Sequence, residues 1–239
     1  MSTVSNSSLL APFQSSRRVL FVVAAPIEMR AVLAGIGADP ALPTPIWSLV
    51  EATPRFDVAL IGVSKSNAAG GTARLLDPQR HAAVISVGIA GALPSPRGLL
   101  PNRTVILATS CVHADEGMRT PTGFVDLAQM GFPLSDEPDQ RHHCTPALVD
   151  ALSPLADASG PIATVSICSA TDALAKEIAD RTGAIAETME GAAVALVASR
   201  LGVPFCELRT ISNPTGDRST QTWDIVGALA RLSQVLGRV

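Results

Sequence analysis

Glu28, Glu190 and Asp217 each stand a few residues beyond the end of an apolar run, and Glu187 lies close to the second of them. Carboxylates so placed can activate an attacking water. They can also accept hydrogen bonds from hydroxyls while a neighbouring carbon becomes cationic. Asn213, after another apolar run, adds an amide that both donates and accepts, which suits the edge of a heterocycle. Cleavage of a glycosidic C–N bond needs these roles: a base for water, acceptors for the sugar hydroxyls, and a donor at the departing base. Each residue also has a plainer reading. Glu28 and Glu190 could be acids in the first turn of a helix, favoured by its dipole. Asn213 before Pro214 could be an ordinary turn residue. Asp217 and Arg218 could form a solvated surface pair.

The elements that must position these residues follow from the apolar pattern. The chain has 239 residues, 47% hydrophobic and 16% charged, which suits one large α/β domain and excludes a disordered chain. Aromatics are only 3%, so the core must be built from small aliphatic side chains. A net charge of −3 argues against nucleic acid as a partner. No apolar run reaches the roughly 18 residues of a membrane span. Arg17-Arg18 before Val19–Ile27 has the look of a signal peptide, but no small-residue cleavage region follows. The expectation is a cytoplasmic protein with a Ser-rich disordered tail over 1–18 and one domain over 19–239.

Val19–Ala24, Asp57–Val63, Ala82–Val87, Arg103–Cys111, Ile162–Cys168, Ala184–Glu187 and Pro204–Ile211 read as strands, with a shorter one around Ile46–Val50. Ile27–Ile36, Ser66–Leu76, Pro146–Leu155, Asp172–Thr182, Glu190–Leu201 and Thr220–Leu236 read as helices, with Ser66 as an N-cap. Gly88–Ala92 reads as a glycine-rich turn, and His113–Pro138 as a long polar loop. The alternation predicts a three-layer α/β/α sandwich with a mixed, largely parallel central sheet, and ligands at the carboxyl ends of its strands. No G-x-G-x-x-G follows the first strand and no G-x-S-x-G occurs, which sets aside dinucleotide redox and serine-hydrolase readings. The cysteines form no C-x-x-C pair. Cys111, Cys168 and Cys206 read as core, and Cys144 with His142 and His143 as a solvated loop rather than a metal site.

Residues 186–193, Ala-Glu-Thr-Met-Glu-Gly-Ala-Ala, and 203–218, Val-Pro-Phe-Cys-Glu-Leu-Arg-Thr-Ile-Ser-Asn-Pro-Thr-Gly-Asp-Arg, resemble the purine nucleoside phosphorylase and nucleosidase superfamily. The resemblance continues through 84–92, Val-Ile-Ser-Val-Gly-Ile-Ala-Gly-Ala, and back to Ala24–Glu28. Within it, 211–218 and the segment Asp115-Glu-Gly-Met-Arg-Thr-Pro-Thr-Gly-Phe124 resemble the futalosine hydrolase branch of menaquinone biosynthesis. That resemblance implies hydrolysis of a nucleoside to release hypoxanthine, with no metal or organic cofactor. It implies that Met189 and Glu190 hold the ribose and that Glu28 activates water. Asn213, helped by Asp217, assists the leaving base. Ile89, Ala90, Ser169 and Thr171 line the ribose and purine sites. Arg119 and Phe124, on a lid formed by His113–Phe124, receive the carboxyphenyl group at the 5′ end, with Arg55, Arg103 and Lys65 as rival cations. It further implies a homodimer or larger homo-oligomer, with a neighbouring subunit near His113–Gly131.

Two departures from the phosphorylase pattern favour water over phosphate. Ile89 stands where a phosphate-binding Ser is expected, and Glu28 near where an Arg is expected; Arg30, two residues on, is the only nearby counterweight. The alternatives are an adenine-releasing nucleosidase, a phosphorylase, and an inactive nucleoside-binding relative.

Overall fold

Arg18–Val23 forms strand β1, buried at all but its first residue, as a run covered on both faces by packed layers must be. In the computed structural model, which describes residues 9–13, 17–96 and 98–239, β1 is followed by α1 (Pro26–Gly35), β2 (Ser48–Val50), β3 (Phe56–Leu60), α2 (Lys65–Leu75), β4 (His81–Ala92) and β5 (Val105–His113). Next come β6 (Gly117–Thr120), β7 (Gly123–Asp126), β8 (His142–His143), α3 (Pro146–Leu152) and β9 (Ala158–Thr164). The chain continues with α4 (Asp172–Thr182), β10 (Ala186–Thr188), α5 (Gly191–Arg200), β11 (Phe205–Pro214) and α6 (Ile225–Leu236).

Nine strands make one sheet, in the order β10-β9-β5-β11-β4-β1-β3-β2 with β8 beside β5. The expected mixed sheet is observed: β1 runs parallel to β3 and β4, and β4 to β11, while β11 and β5 are antiparallel. The helices α1 and α6 pack together, as do α2 and α5. The far end of β4 also pairs with β10, so β4, β11, β5, β9 and β10 close into a ring. Most of the candidate site residues gather at this closure.

Several local expectations change. No turn occurs at 88–92, because β4 runs unbroken from His81 to Ala92. Its glycines serve close approach instead of chain reversal. The N-cap of α2 is Ser64 rather than Ser66; its hydroxyl accepts from Asn67 N. The polar stretch after His113 is not structureless, since β6 and β7 form a hairpin within it. The helix expected from Thr220 begins at Ile225, capped by Asp224. Cys144 and Cys168 exchange roles: Cys144 is buried against Cys111 and Cys206, and Cys168 is exposed. His142 pairs in β8 with Cys111 of β5 and is buried, not solvated. Part of the expected tail is also packed: Leu10 is wholly buried in the main core. Residues 1–8 and 14–16 of that tail lie outside the described residues.

One buried charge in β3 secures the sheet. The Asp57 carboxylate accepts from Arg18 Nε at 2.7 Å and Arg80 Nε at 2.6 Å, with His81 Nε2 at 3.1 Å. His81 Nδ1 accepts from Asp77 N, which leaves the ring proton on Nε2 facing Asp57. Burial alone would raise the Asp57 carboxyl; hydrogen bonds from His81 and Arg80, and the charge of Arg18, outweigh it and hold the pKa at about 2. A depressed carboxyl stabilises the fold fully above its ordinary pKa and loses that contribution as pH falls toward the folded value. Asp57→Asn therefore costs about 2 kcal/mol at neutral pH. It also flattens the loss of stability between roughly pH 4 and pH 2. Denaturant melts at pH 7 and pH 3 measure both, and equal destabilisation at the two values would remove the account.

Candidate active site

Glu28 sits at the third position of α1, where a glutamate can reach back to the helix's own start. It does so through Oε2, which accepts from Ala25 N at 3.0 Å. Its other oxygen, Oε1, crosses to the sheet and accepts from Ile89 N at 2.9 Å. The helix-acid reading is thus true of one oxygen only. The crossing requires Gly88, because a Cβ there would run into the Glu28 carboxylate and the Arg209 guanidinium.

Glu190 is the N-cap of α5, yet its side chain makes no capping bond. It turns away from the helix and accepts from Ser64 N at 3.2 Å. Ser64 has φ 99°, a region that favours glycine. A strained backbone residue thus presents its N–H to a buried carboxylate, a pattern typical of functional sites. Burial pushes the Glu190 carboxyl up to about 7, against the opposing pull of Arg209 and with help from the negative charge of Glu28.

Behind both acids lies Arg209, whose side chain is fully buried. Nε donates to Glu207 Oε1 at 2.8 Å and Nη2 to Ser86 Oγ at 2.8 Å, and Nη2 stands 3.8 Å from Glu190 Oε2. Cys111 Sγ and Thr188 Oγ1 complete the shell of Glu207. Burial works against the charge of Arg209; Glu207, Glu190 and Glu28 together more than restore it. Sequence reasoning assigned Arg209 and Glu207 no role. Their signal was two opposite charges, two residues apart, in a strand otherwise free of charge.

A bulge in β11 sets the third group. The register against β4 steps from Ile211↔Ala90 to Asn213↔Gly91, leaving Ser212 as the extra residue. Asn213 Oδ1 accepts from Ser212 Oγ at 2.8 Å, and Nδ2 donates to Pro214 O at 2.8 Å. One N–H and one acceptor direction of the amide remain. Beside it Ser169 donates to Glu187 from N at 2.8 Å and from Oγ at 2.5 Å.

Glu28, Glu190, Asn213, Ser169 and Glu187 line one cleft of about 300 Å³ at the strand ends. It brings together Glu28, Ile89, Ala90, Ser169, Met189, Glu190 and Asn213, all named from the sequence. It adds Glu187, Arg218 and Trp223, which the sequence left unassigned or open. Arg218 stacks over Trp223, with its guanidinium carbon 4.7 Å from the ring centre. Ile27, Val63 and Ile225 give the cleft an apolar side.

Four expected residues are elsewhere. Asp217 is exposed and accepts from Ser219 N and Oγ. Those bonds lower its carboxyl pKa, so it is a poor proton source. Thr171 is the exposed N-cap of α4, accepting from Leu174 N. Arg119, on β6, pairs with Glu177 at 3.0 Å. Phe124, on β7, lies under Arg181 at 4.2 Å. The hairpin therefore docks on α4 rather than over the cleft. The segment reaches the site only indirectly. Asp115 and Glu116 hold Lys65, the first residue of α2, at 2.5 and 2.9 Å, and Asp115 also accepts from Ser166 N and Ile167 N. Of the rival cations, Arg103 pairs with Asp224 and Arg55 stacks on Phe56.

Residues 53–239 match the phosphorylase superfamily. The chain belongs to that superfamily. Within the superfamily it is 36% identical over 219 residues to futalosine hydrolase of Acidothermus cellulolyticus, covering 89% of this chain and 86% of the relative. It is 35% identical over 192 residues to futalosine hydrolase of Streptomyces coelicolor, covering 77% and 78%. The fold is similar to that of 5′-methylthioadenosine/S-adenosylhomocysteine nucleosidase from Neisseria meningitidis, solved with methylthio-immucillin-A. That match has a TM-score of 0.73 and 22% identity, and covers 93% of this chain and 97% of the other.

Proposed function

We propose that the protein hydrolyses the N-glycosidic bond of futalosine, releasing hypoxanthine and dehypoxanthine futalosine as a step of menaquinone biosynthesis. The observation that carries this reading is the pairing of Glu28 and Glu190 in one cleft, each held by backbone N–H groups. The two curated relatives described above supply the substrate.

In this mechanism Glu190 accepts hydrogen bonds from the ribose hydroxyls, and Met189 packs against the sugar. Asn213 donates to the departing base, and the C1′–N9 bond lengthens until C1′ is cation-like. A water held by Glu28 attacks from the opposite face and passes its proton to that carboxylate, the base leaves with the C1′–N9 electron pair and takes a proton from solvent, and Glu28 returns its proton to solvent. The charges of the cleft favour water over phosphate: Glu28, Glu187 and Glu190 line it against Arg218 alone among the described residues. Arg218 on Trp223, with the apolar side of the cleft, offers the 5′ aryl carboxylate a cation and a ring.

The protein's compartment in this reading is the cytoplasm, which fits four free thiols. Among the described residues no helix is long and apolar enough to cross a membrane. A homodimer or larger assembly is part of the same proposal, and a monomer in light scattering would remove it.

The deciding experiment is base release. The purified protein is incubated separately with futalosine, aminodeoxyfutalosine, methylthioadenosine and inosine, with and without phosphate. Hypoxanthine from futalosine, at a rate indifferent to phosphate, is the expected result. Adenine from methylthioadenosine would instead establish an adenine-releasing nucleosidase, strict phosphate dependence a phosphorylase, and no release an inactive relative.

A further inference from the structure

We propose that Asp115 is a positioning residue: its two carboxylate oxygens brace the two walls of the cleft that carry Glu190 and Met189. The inference rests on the nucleoside-hydrolase reading, in which those two residues hold the ribose, and adds to it a residue outside the cleft lining.

Asp115 stands two residues beyond the end of β5. Its Oδ1 accepts from Lys65 Nζ at 2.5 Å. Lys65 is buried and is the first residue of α2. The residue before it is Ser64, whose N–H donates to Glu190 Oε1 at 3.2 Å. At φ 99° Ser64 holds a conformation that its surroundings must enforce. Its own hydroxyl secures the helix side, accepting from Asn67 N at 3.4 Å. The Lys65–Asp115 pair secures the other. Asp115 Oδ2 accepts from Ser166 N at 2.5 Å and from Ile167 N at 3.2 Å, on the connection from β9 to α4. The next residue, Cys168, lines the cleft, and its Sγ lies 3.6 Å from Met189 Sδ. One oxygen thus leads to Glu190 and the other to Met189.

The strength of this brace comes from its chemistry. All three of its bonds run from an N–H to an ionised carboxylate, which makes them shorter and stronger than neutral ones. Glu116 also holds Lys65, at 2.9 Å. Among the described residues, though, Asp115 is the one that bonds both α2 and the backbone at 166–167. Without it the turn at Ser64 relaxes toward an ordinary φ, and its N–H swings away from Glu190. The acid then loses the main-chain donor that aims it at the sugar. A displacement of about 1 Å in such a group costs roughly 100-fold in rate, even when its origin lies away from the chemistry.

The test compares futalosine with its 2′-deoxy counterpart in the wild type, Asp115→Asn and Glu190→Gln. Asparagine keeps the shape of the side chain, but its NH₂ must face either the Lys65 ammonium or the two N–H groups, so one wall comes loose. Asp115→Asn should lower kcat/KM by about 100-fold on futalosine and by no more than about tenfold on the deoxy nucleoside. Equal losses on both would overturn the proposal, because they mark a residue that only supports the fold. Wild-type values on both would overturn it too. Glu190→Gln supplies the reference. If it loses equally on both nucleosides, the ribose role of Glu190 fails separately, and if the wild type cleaves neither, so does the hydrolase reading. In both cases amide exchange decides for Asp115. The Ser64 N–H is not bonded to Asp115, yet in Asp115→Asn it should exchange at least about tenfold faster while the central strands keep their wild-type rates. Unchanged exchange at Ser64 overturns the proposal. Should Asp115→Asn not fold, Lys65→Met cuts the α2 side alone and carries both measurements.

Discussion

Glu28→Gln lowers kcat for base release by about 10³-fold and leaves KM within a few-fold. The substitution keeps the shape of the side chain but removes its ability to take a proton from water. One anchor changes as well. Two backbone N–H groups, of Ala25 and Ile89, point at the two carboxylate oxygens, and a glutamine meets one of them with its NH₂. The loss thus combines a missing base with a displaced one, and both act on the chemical step. In the proposed mechanism ribose binding is the task of Glu190 and Met189 on a different element, so substrate affinity should persist. Single-turnover rates and KM on futalosine check the prediction. A kcat within tenfold of the wild type would transfer the base to another group, and Glu190, with its carboxyl near 7, would be the next to examine.

Arg209→Met destabilises the fold by about 3–5 kcal/mol, a large share of the stability of a typical domain. The guanidinium is the buried counter-charge to Glu207 and lies beside Glu190. Removing it strands two carboxylates away from water, and methionine fills the volume without answering the charge. At this chain length the loss corresponds to a fall in melting temperature of roughly 10 °C. Activity shifts in a defined direction. Arg209 holds the Glu190 carboxyl down against its burial. Without it Glu190 titrates at higher pH and is more protonated at neutrality. The acid limb of the pH–rate profile should therefore move upward, along with a lower maximum. Calorimetry and a pH profile of kcat/KM test the two parts independently. A variant that melts as the wild type does and keeps its acid limb would show that the network carries neither stability nor the state of Glu190.

The reach of the sequence can be judged from particular residues. Glu28, Met189, Glu190 and Asn213 could be grouped from the sequence because each lies at or just beyond the carboxyl end of a strand, and the sheet gathers strand ends in one place. Arg119, Phe124, Thr171 and Asp217 lie outside the cleft: the first two are on the β6–β7 hairpin, Thr171 caps α4, and Asp217 is on the connection after β11. The hairpin's position depends on tertiary contacts, Arg119 with Glu177 and Phe124 with Arg181, that no local pattern announces. Glycines misled for a related reason. Gly88 and Gly91 look like a turn, yet they are strand residues whose missing side chains make room for Glu28, Arg209 and Thr215. The bulge at Ser212 was likewise hidden, since a single inserted residue leaves no mark on the apolar pattern.

The two acids of the proposed mechanism are hung mainly on main-chain amides, of Ala25, Ile89 and Ser64. No substitution except proline removes an amide, so the residues bearing them can drift while the geometry persists. The end of the cleft where the proposed mechanism puts the base is different: Asn213 is oriented by the hydroxyl of Ser212. A single nucleotide change can rewrite such a contact. Within one lineage, therefore, the bond broken should be the slow-evolving trait and the base released the fast-evolving one.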